Sequence, residues 1–250
     1  MRMHSEQPCR PTMKIGIMQP YFFPYIGYFQ LINAVDQWVV FDIVQYIERG
    51  WMNRNRILSP NLEKEWCYIV VPTLNHERDR VISEVRVDGA SGWQNTILGQ
   101  LSYYRKIRAP FFDSVSEFVS DSINNYVETI TDLNVLTLKS VCGYLGVEFN
   151  YRNCSAMAYD FSSVNGPGDW AFEIARQSGA DEYLNPPGGI GLFDRDKFSR
   201  AGIGLSFLKP REITYRQSRR TFVPWLSIID VMMFNSKDEV RKMLTEYDLI

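Results

Sequence analysis

Short apolar runs alternate with helical spacings along this chain, and that pattern predicts its elements. Lys14 to Met18 is a compact apolar run, followed by Gln19 to Pro24, a loop with two prolines and three aromatics. Tyr25 to Val35 has helical spacing, and Trp38 to Phe41 is a second apolar run. Strand, loop, helix and strand in that order make a βαβ unit, which sets a parallel sheet. Glu65 to Val71 is a β-type run closed by Pro72, and Val81 to Val87 alternates as a half-buried strand does. Three helices are predicted next: from Ser91 and Gly92 to about Tyr104, from Pro110 to about Tyr126, and from an Asp132 cap to a Gly146 stop. Val147 to Arg152 returns to strand, Gly168 to Ser178 to helix, and Glu182 to Leu184 to strand. The stretch NPPGGIGLFDRDKF then reads as a loop, Ile203 to Leu208 as a strand, and Ser227 and Ser236 as caps of two final helices. The expected fold is α/β, a doubly wound and mainly parallel sheet, with a helical insertion at about 91–145.

Composition adds bounds to this picture. At 250 residues the chain suits one α/β domain over 13–250. Residues 1–12, polar and with two prolines, are expected to form a disordered tail. They lack the apolar core of a signal peptide, and no apolar run approaches the roughly 20 residues that span a bilayer. A net charge of −2 argues against bulk nucleic-acid binding through a basic surface. The four cysteines (Cys9, Cys67, Cys142, Cys154) form no CxxC pair, and His4 and His76 are the two histidines. No zinc site of the usual spacing is therefore expected, and a cytoplasmic chain with reduced thiols is.

Candidate chemistry gathers where an open parallel sheet binds ligands, outside the carboxyl ends of its strands. The loop Gln19, Pro20, Tyr21 leads to a helix start at Tyr25, Gly27 and Tyr28. Such a start presents free N–H groups that favour phosphate, and Gly27 allows close approach. A proline-rich turn with aromatics as core is the structural alternative. Asp42 follows the second strand and could act as a base or hold a hydroxyl; a turn or cap aspartate is as common. The segment DIVQYIERGWMNRNRILSPN reads as a loop carrying Gln45, Tyr46, Trp51, Asn53, Arg54, Asn55 and Arg56. Its arginines suit phosphate or carboxylate, its asparagines two-way hydrogen bonding, and Trp51 stacking. If this segment is extended, Asn53 and Asn55 face one way and Arg54 and Arg56 the other. Asn185, Gly188 and Gly189 belong to NPPGGIG at another strand exit, where asparagine could read a ligand carbonyl or hydroxyl and the glycines allow positive φ or close approach; a tight surface turn is the structural alternative. No Gly-Lys-Ser/Thr follows, so this is no P-loop. A run over 209–220 with Lys209, Arg211, Arg216, Arg219 and Arg220 against Glu212 carries +4 and could bind a diphosphate or be a solvated face. His76 reads as a loop histidine, solvated or else catalytic, Cys67 and Cys142 as core, and Cys154 as a weak nucleophile candidate.

Two family resemblances bear on these residues. The opening unit resembles the HIGH-type nucleotidylyltransferase superfamily, with Tyr25-Ile26-Gly27-Tyr28 at the place of its His-x-Gly-His tetrad. Both histidines that stabilise phosphates there are tyrosines here, which keeps nucleotide binding and removes the imidazolium. Over nearly the whole chain, MQPYFFPYIGYFQLI, FDIVQYIERGWMNRNRI, YLNPPGGIGLF and LSIID resemble the WbqC-like family. That resemblance implies surface-polysaccharide synthesis and a proposed attachment of glycine to amino sugars. The expectation is thus a transferase that joins glycine or another small acyl group to a nucleotide-linked amino sugar. Gln19, Tyr21, Tyr25 and Tyr28 would hold phosphate and sugar, Arg54 and Arg56 would neutralise charge, and Asp42 would be the base. An activated donor is required: ATP, an acyl thioester or a charged tRNA. The alternatives are a diverged nucleotidylyltransferase activating a carboxylate with ATP, and a non-catalytic sugar-nucleotide binding protein.

Overall fold

The computed structural model describes residues 12–61, 63–218 and 221–250. Nearly all of the expected tail, and Arg219 and Arg220 of the basic run, lie outside them.

The opening unit forms as its pattern predicts. Strand β1 (Lys14–Met18) runs into the QPYFFP loop, then α1 (Ile26–Asn33) and β2 (Gln37–Val40), with β1 and β2 parallel. After a long excursion come β5 (Tyr151–Asn153), α5 (Pro167–Ser178), β6 (Glu182–Asn185), α6 (Arg195–Arg200) and β7 (Gly204–Pro210). Helices α7 (Ile228–Phe234) and α8 (Lys237–Met243) and a last strand, β8 (Tyr247–Leu249), close the chain. The six-stranded sheet has the order β5-β2-β1-β6-β7-β8, parallel except for β8. Strand order reverses between β1 and β6, so the crevice of a doubly wound sheet opens beyond Met18 and Asn185. Both faces are covered. Ile15, Ile17, Val39 and Tyr183 pack with α5 and α6 residues, while Trp38, Val40 and Leu184 pack with α1, α7 and α8.

The excursion between β2 and β5 holds the helices expected near 91–145: α2 (Trp93–Lys106), α3 (Phe112–Ile123) and α4 (Ile130–Leu145). They share the apolar cluster of α1, α7 and α8. Gly146 ends α4 with φ 66°, as a glycine stop requires. The start of α4 differs from expectation. Thr129 is the cap, accepting from the Asp132 N–H, and the Asp132 carboxylate bonds back to the cap. Asp132 is therefore the fourth member of a capping box rather than the cap.

Three other stretches depart from their patterns. Residues 54–58, read as loop, form β3 (Arg54–Leu58), paired antiparallel with β4 (Trp66–Val70) in a separate hairpin. Both faces of β3 carry polar residues, which hid the strand. Val81 to Val87 forms no strand: Ile82–Glu84 is a 3-10 turn between isolated bridges Gln45–Val81, Thr73–Val87 and Arg86–Thr129. The buried residues are Ile82, Val85 and Val87, a spacing of three then two that packs on the helical cluster and does not alternate as a strand would. The six-residue α6, capped by Asp194, sits inside the stretch read as a loop.

Candidate ligand-binding site

The QPYFFP loop is buried, and buried backbone groups must find partners. Three elements supply them. From β3, Asn55 donates to the carbonyl oxygens of Phe22 (3.0 Å) and Phe23 (2.9 Å). From α4, Asn134 donates to those of Pro20 (2.9 Å) and Met52 (2.8 Å). At the start of α7, the Ser227 hydroxyl donates to Phe23 (2.7 Å) and the Ile228 N–H to Pro24 (2.9 Å). The Phe22 N–H donates to the Trp51 carbonyl at 3.0 Å. This network holds Phe23 at φ 38°, a left-handed conformation that a bulky residue adopts only under such constraint.

The clamped loop forms one wall of a cavity of about 170 Å³, lined by Tyr21, Pro24, Tyr25, Trp51, Asn55, Arg56 and Trp225. Tyr25 is the N-cap residue of α1, with no side-chain cap bond, so the positive end of that helix begins at the wall. The Tyr25 ring lies edge-on to Trp225, centroids 5.8 Å apart. Arg56 sets its guanidinium 5.2 Å from the Trp51 ring and 5.2 Å from the Trp66 ring, and donates to the Trp225 carbonyl at 3.2 Å. Its Nε is buried without a hydrogen-bond partner among the described residues. Neither Arg54 nor Arg56 pairs with a carboxylate among them. Burial pushes the Tyr21 and Tyr25 hydroxyls above their usual range, so both stay neutral donors. The site is thus cationic and aromatic, suited to an anionic ligand with a flat ring or sugar face.

Of the residues singled out in the sequence, the cavity brings together Tyr21, Tyr25, Trp51, Asn55 and Arg56. The others lie elsewhere. Tyr28 is buried beneath the loop, its hydroxyl donating to the Gln19 carbonyl (2.8 Å) and its ring 5.0 Å from Trp38. It braces the loop instead of reaching a phosphate. Gln19 enters the loop through that bond, and Pro20 through Asn134. Gly27 has its close neighbour, the Tyr25 ring. Asp42 is fully buried and accepts from the Ser155 N–H (2.9 Å) and hydroxyl (2.7 Å), tying β2 to the end of β5. Burial pushes its carboxyl above the ordinary value against the pull of these bonds. It does not line the cavity. Arg54 faces the opposite way from Asn55 as extension requires, lies 4.0 Å over the Tyr68 ring, and donates to the carbonyls of Arg49 and Gly50.

Gln45 bonds the Arg78 carbonyl (2.9 Å), and Tyr46 packs edge-on to His76 at 5.1 Å. Asn53 bonds the Val71 carbonyl (2.9 Å). Asn185 accepts from the Tyr183 hydroxyl (2.7 Å) and donates to the Pro186 carbonyl (2.9 Å). Gly188 and Gly189 form a 3-10 turn without positive φ; Gly189 instead lets Asn185 and Phe193 approach. Arg211 of the basic run is bound to Asp248 and Glu246. Burial, with the Asp42 carboxylate beside it, pushes the Cys154 thiol up to about 12, which disfavours the thiolate that a nucleophile needs. Trp225 escaped the sequence reading, although an aromatic between Pro224 and the Ser227 cap was a signal for it.

The WbqC-like protein family model matches residues 19–242, from the clamped loop into the last helix. The chain belongs to this family. An uncharacterised protein of Mycobacterium tuberculosis (strain ATCC 25618 / H37Rv), Rv1507c, is 26% identical over 223 residues, covering 89% of this chain and 93% of that protein. No solved structure matches. Among the described residues no helix is long and apolar enough to cross a membrane.

Proposed function

We propose that this WbqC-like protein is a transferase acting on a nucleotide-linked amino sugar, joining its amine to glycine or another small acyl group. The observation that carries this reading is Arg56, a cation with a desolvated, unpartnered Nε in an aromatic cavity at the start of α1. Arg56 holds the anionic part of the ligand, and the rings of Tyr21, Tyr25, Trp51 and Trp225 hold the sugar. In the transfer step the amine nitrogen attacks the acyl carbon of an activated donor. The C–N bond forms, the leaving group departs with the bonding pair, and the amine proton passes to it or to solvent. The neutral Tyr21 and Tyr25 hydroxyls donate to the acyl oxygen as charge develops there.

Two placements revise the division of labour expected from the sequence. Asp42 serves β5 through Ser155, and Tyr28 serves the loop, so proton removal falls to solvent or the leaving group. The burial of Tyr28 also weighs against ATP-dependent adenylylation by a HIGH-type tetrad. A non-catalytic sugar-nucleotide binding protein is the second reading, favoured by a cavity lining with no carboxylate, histidine or cysteine among the described residues.

Mass spectrometry of a dTDP-4-amino sugar incubated with the protein, glycine and ATP, and separately with glycyl thioester or glycyl-tRNA, decides between the two. A glycyl mass gain that disappears in Arg56→Ala and Trp51→Ala is expected. Binding of the sugar nucleotide with no gain from any donor would leave the binding-protein reading.

A further inference from the structure

The 170 Å³ cavity is smaller than the roughly 300 Å³ at which pockets for drug-sized ligands begin. It takes one ring, and the remainder of a nucleotide-linked sugar must leave over a neighbouring surface. Arg56 marks the exit, because its guanidinium is shared between Trp51 of the cavity and Trp66 outside it.

The register of the hairpin shows what lies beyond. Arg54 pairs with Val70, Arg56 with Tyr68 and Leu58 with Trp66, and paired residues share a face of a two-stranded sheet. Trp66 and Tyr68 stand edge to face with centroids 4.9 Å apart, and the Arg54 guanidinium lies 4.0 Å over the Tyr68 ring. A second hollow, of about 520 Å³, opens along the β4 edge of the hairpin, lined by Lys64, Glu65, Trp66, Cys67 and Tyr68. The sequence of features from the cavity outward is therefore ring pocket, cation, aromatic shelf. A nucleoside diphosphate sugar has the matching order: sugar, diphosphate, base.

We propose that the face of the β3–β4 hairpin bearing Trp66 and Tyr68 is the base-binding shelf of the site, reached through a diphosphate held at Arg56. This rests on the reading that the cavity takes the sugar end of a nucleotide-linked sugar. Any base has a π-face to lay on Trp66 or Tyr68, so the shelf tolerates several nucleotides and contributes affinity more than choice of base.

The test titrates dTDP, UDP and pyrophosphate into the full chain, by calorimetry and tryptophan fluorescence, with thermal melts showing that each variant folds. Nucleoside diphosphates should bind at least about tenfold more tightly than pyrophosphate, since a stacked base adds that much. Tyr68→Ala should weaken dTDP by about tenfold and leave pyrophosphate unchanged; Trp66→Ala, whose ring also touches Arg56, should weaken dTDP more than it weakens pyrophosphate, and Arg56→Ala should weaken both alike. Equal affinity for dTDP and pyrophosphate, or wild-type dTDP affinity in both aromatic variants, overturns the shelf. So does a dimer that Trp66→Ala dissolves, or a single-stranded RNA that binds more tightly than dTDP. A glycyl transfer whose KM for the sugar nucleotide is unaltered in Trp66→Ala would overturn the shelf while sustaining the proposed reaction. Absence of transfer with the tenfold dTDP effect intact would do the reverse.

Discussion

The Tyr25 ring fills the space that a side chain on Gly27 would take: an added Cβ would collide with Tyr25 Cε2. Glycine is unfavourable inside a helix by about 1 kcal/mol relative to alanine, so its presence in α1 reflects this contact. Gly27→Ala should leave the melting temperature within a few degrees of wild type, helix gain offsetting ring displacement, while ligand affinity falls because the ring leaves the cavity wall. Adding Tyr25→Ala should then raise stability above that of Tyr25→Ala alone. Thermal melts of the four-member cycle check this. If Gly27→Ala lowers stability equally with and without the Tyr25 ring, the contact is not the reason for glycine.

Asn55 offers a sharper case. Its amide group serves two buried carbonyls that lie on either side of the strained Phe23. Asn55→Asp keeps the shape and removes the donors, placing carboxylate oxygens against carbonyl oxygens. A loss of about 2–3 kcal/mol is expected: the Phe22 carbonyl loses its donor, the Phe23 carbonyl keeps only Ser227, and both face a carboxylate oxygen. Chemical denaturation at pH 7 measures it. Stability within about 1 kcal/mol of wild type, the net worth of one ordinary hydrogen bond, would mean that Asn134 and Ser227 alone hold the loop.

These two residues also show how much of the site was legible in the sequence. The βαβ opening declared itself because its strands are short apolar runs and its helix has one periodicity. Asn55 was recognised as a hydrogen-bonding residue, but its partners lie more than thirty residues away, and spacing along the chain does not reveal them. The same holds for Asp42, which stands at the expected rim yet meets Ser155, 113 positions on. β3 was missed because its inward face carries the polar Asn55 in place of an apolar residue. Trp225 was missed because only tertiary structure brings 225 beside 25.

Asp42 sets a pH dependence whose sign follows from its environment. Burial raises its folded-state pKa above the unfolded value, so the folded chain keeps the proton over a window in which the unfolded chain has lost it. The stabilising contribution is full below the ordinary carboxylate pKa and is lost as pH rises through the raised one. Asp42→Asn would preserve the geometry, the new amide oxygen accepting from the Ser155 N–H and the new amide nitrogen donating to its hydroxyl. The difference in melting temperature between Asp42→Asn and wild type should therefore shift in favour of the variant from pH 4 to pH 7. A difference that stays constant over this range would show that Asp42 titrates normally.

Arg54 and Arg56, two positions apart on one face, should separate stability from binding. The Arg54 guanidinium donates to two carbonyls of the turn at 49–50 and packs on Tyr68, so Arg54→Ala should cost about 1 kcal/mol of stability. Arg56 makes a single bond, to Trp225, and otherwise stands between two indole rings with its Nε unpartnered. Arg56→Ala should lower ligand affinity about tenfold with a smaller change in stability, since a charge-assisted bond to phosphate is worth about 1.5–3 kcal/mol. Arg56→Lys should recover little of the affinity, because an ammonium keeps the charge but not the flat, forked guanidinium that lies 5.2 Å from both the Trp51 and Trp66 rings. Calorimetry with dTDP beside denaturant melts reads both quantities. If the Arg56→Lys variant binds as tightly as wild type, the site uses charge alone, and the two tryptophans serve only as its walls.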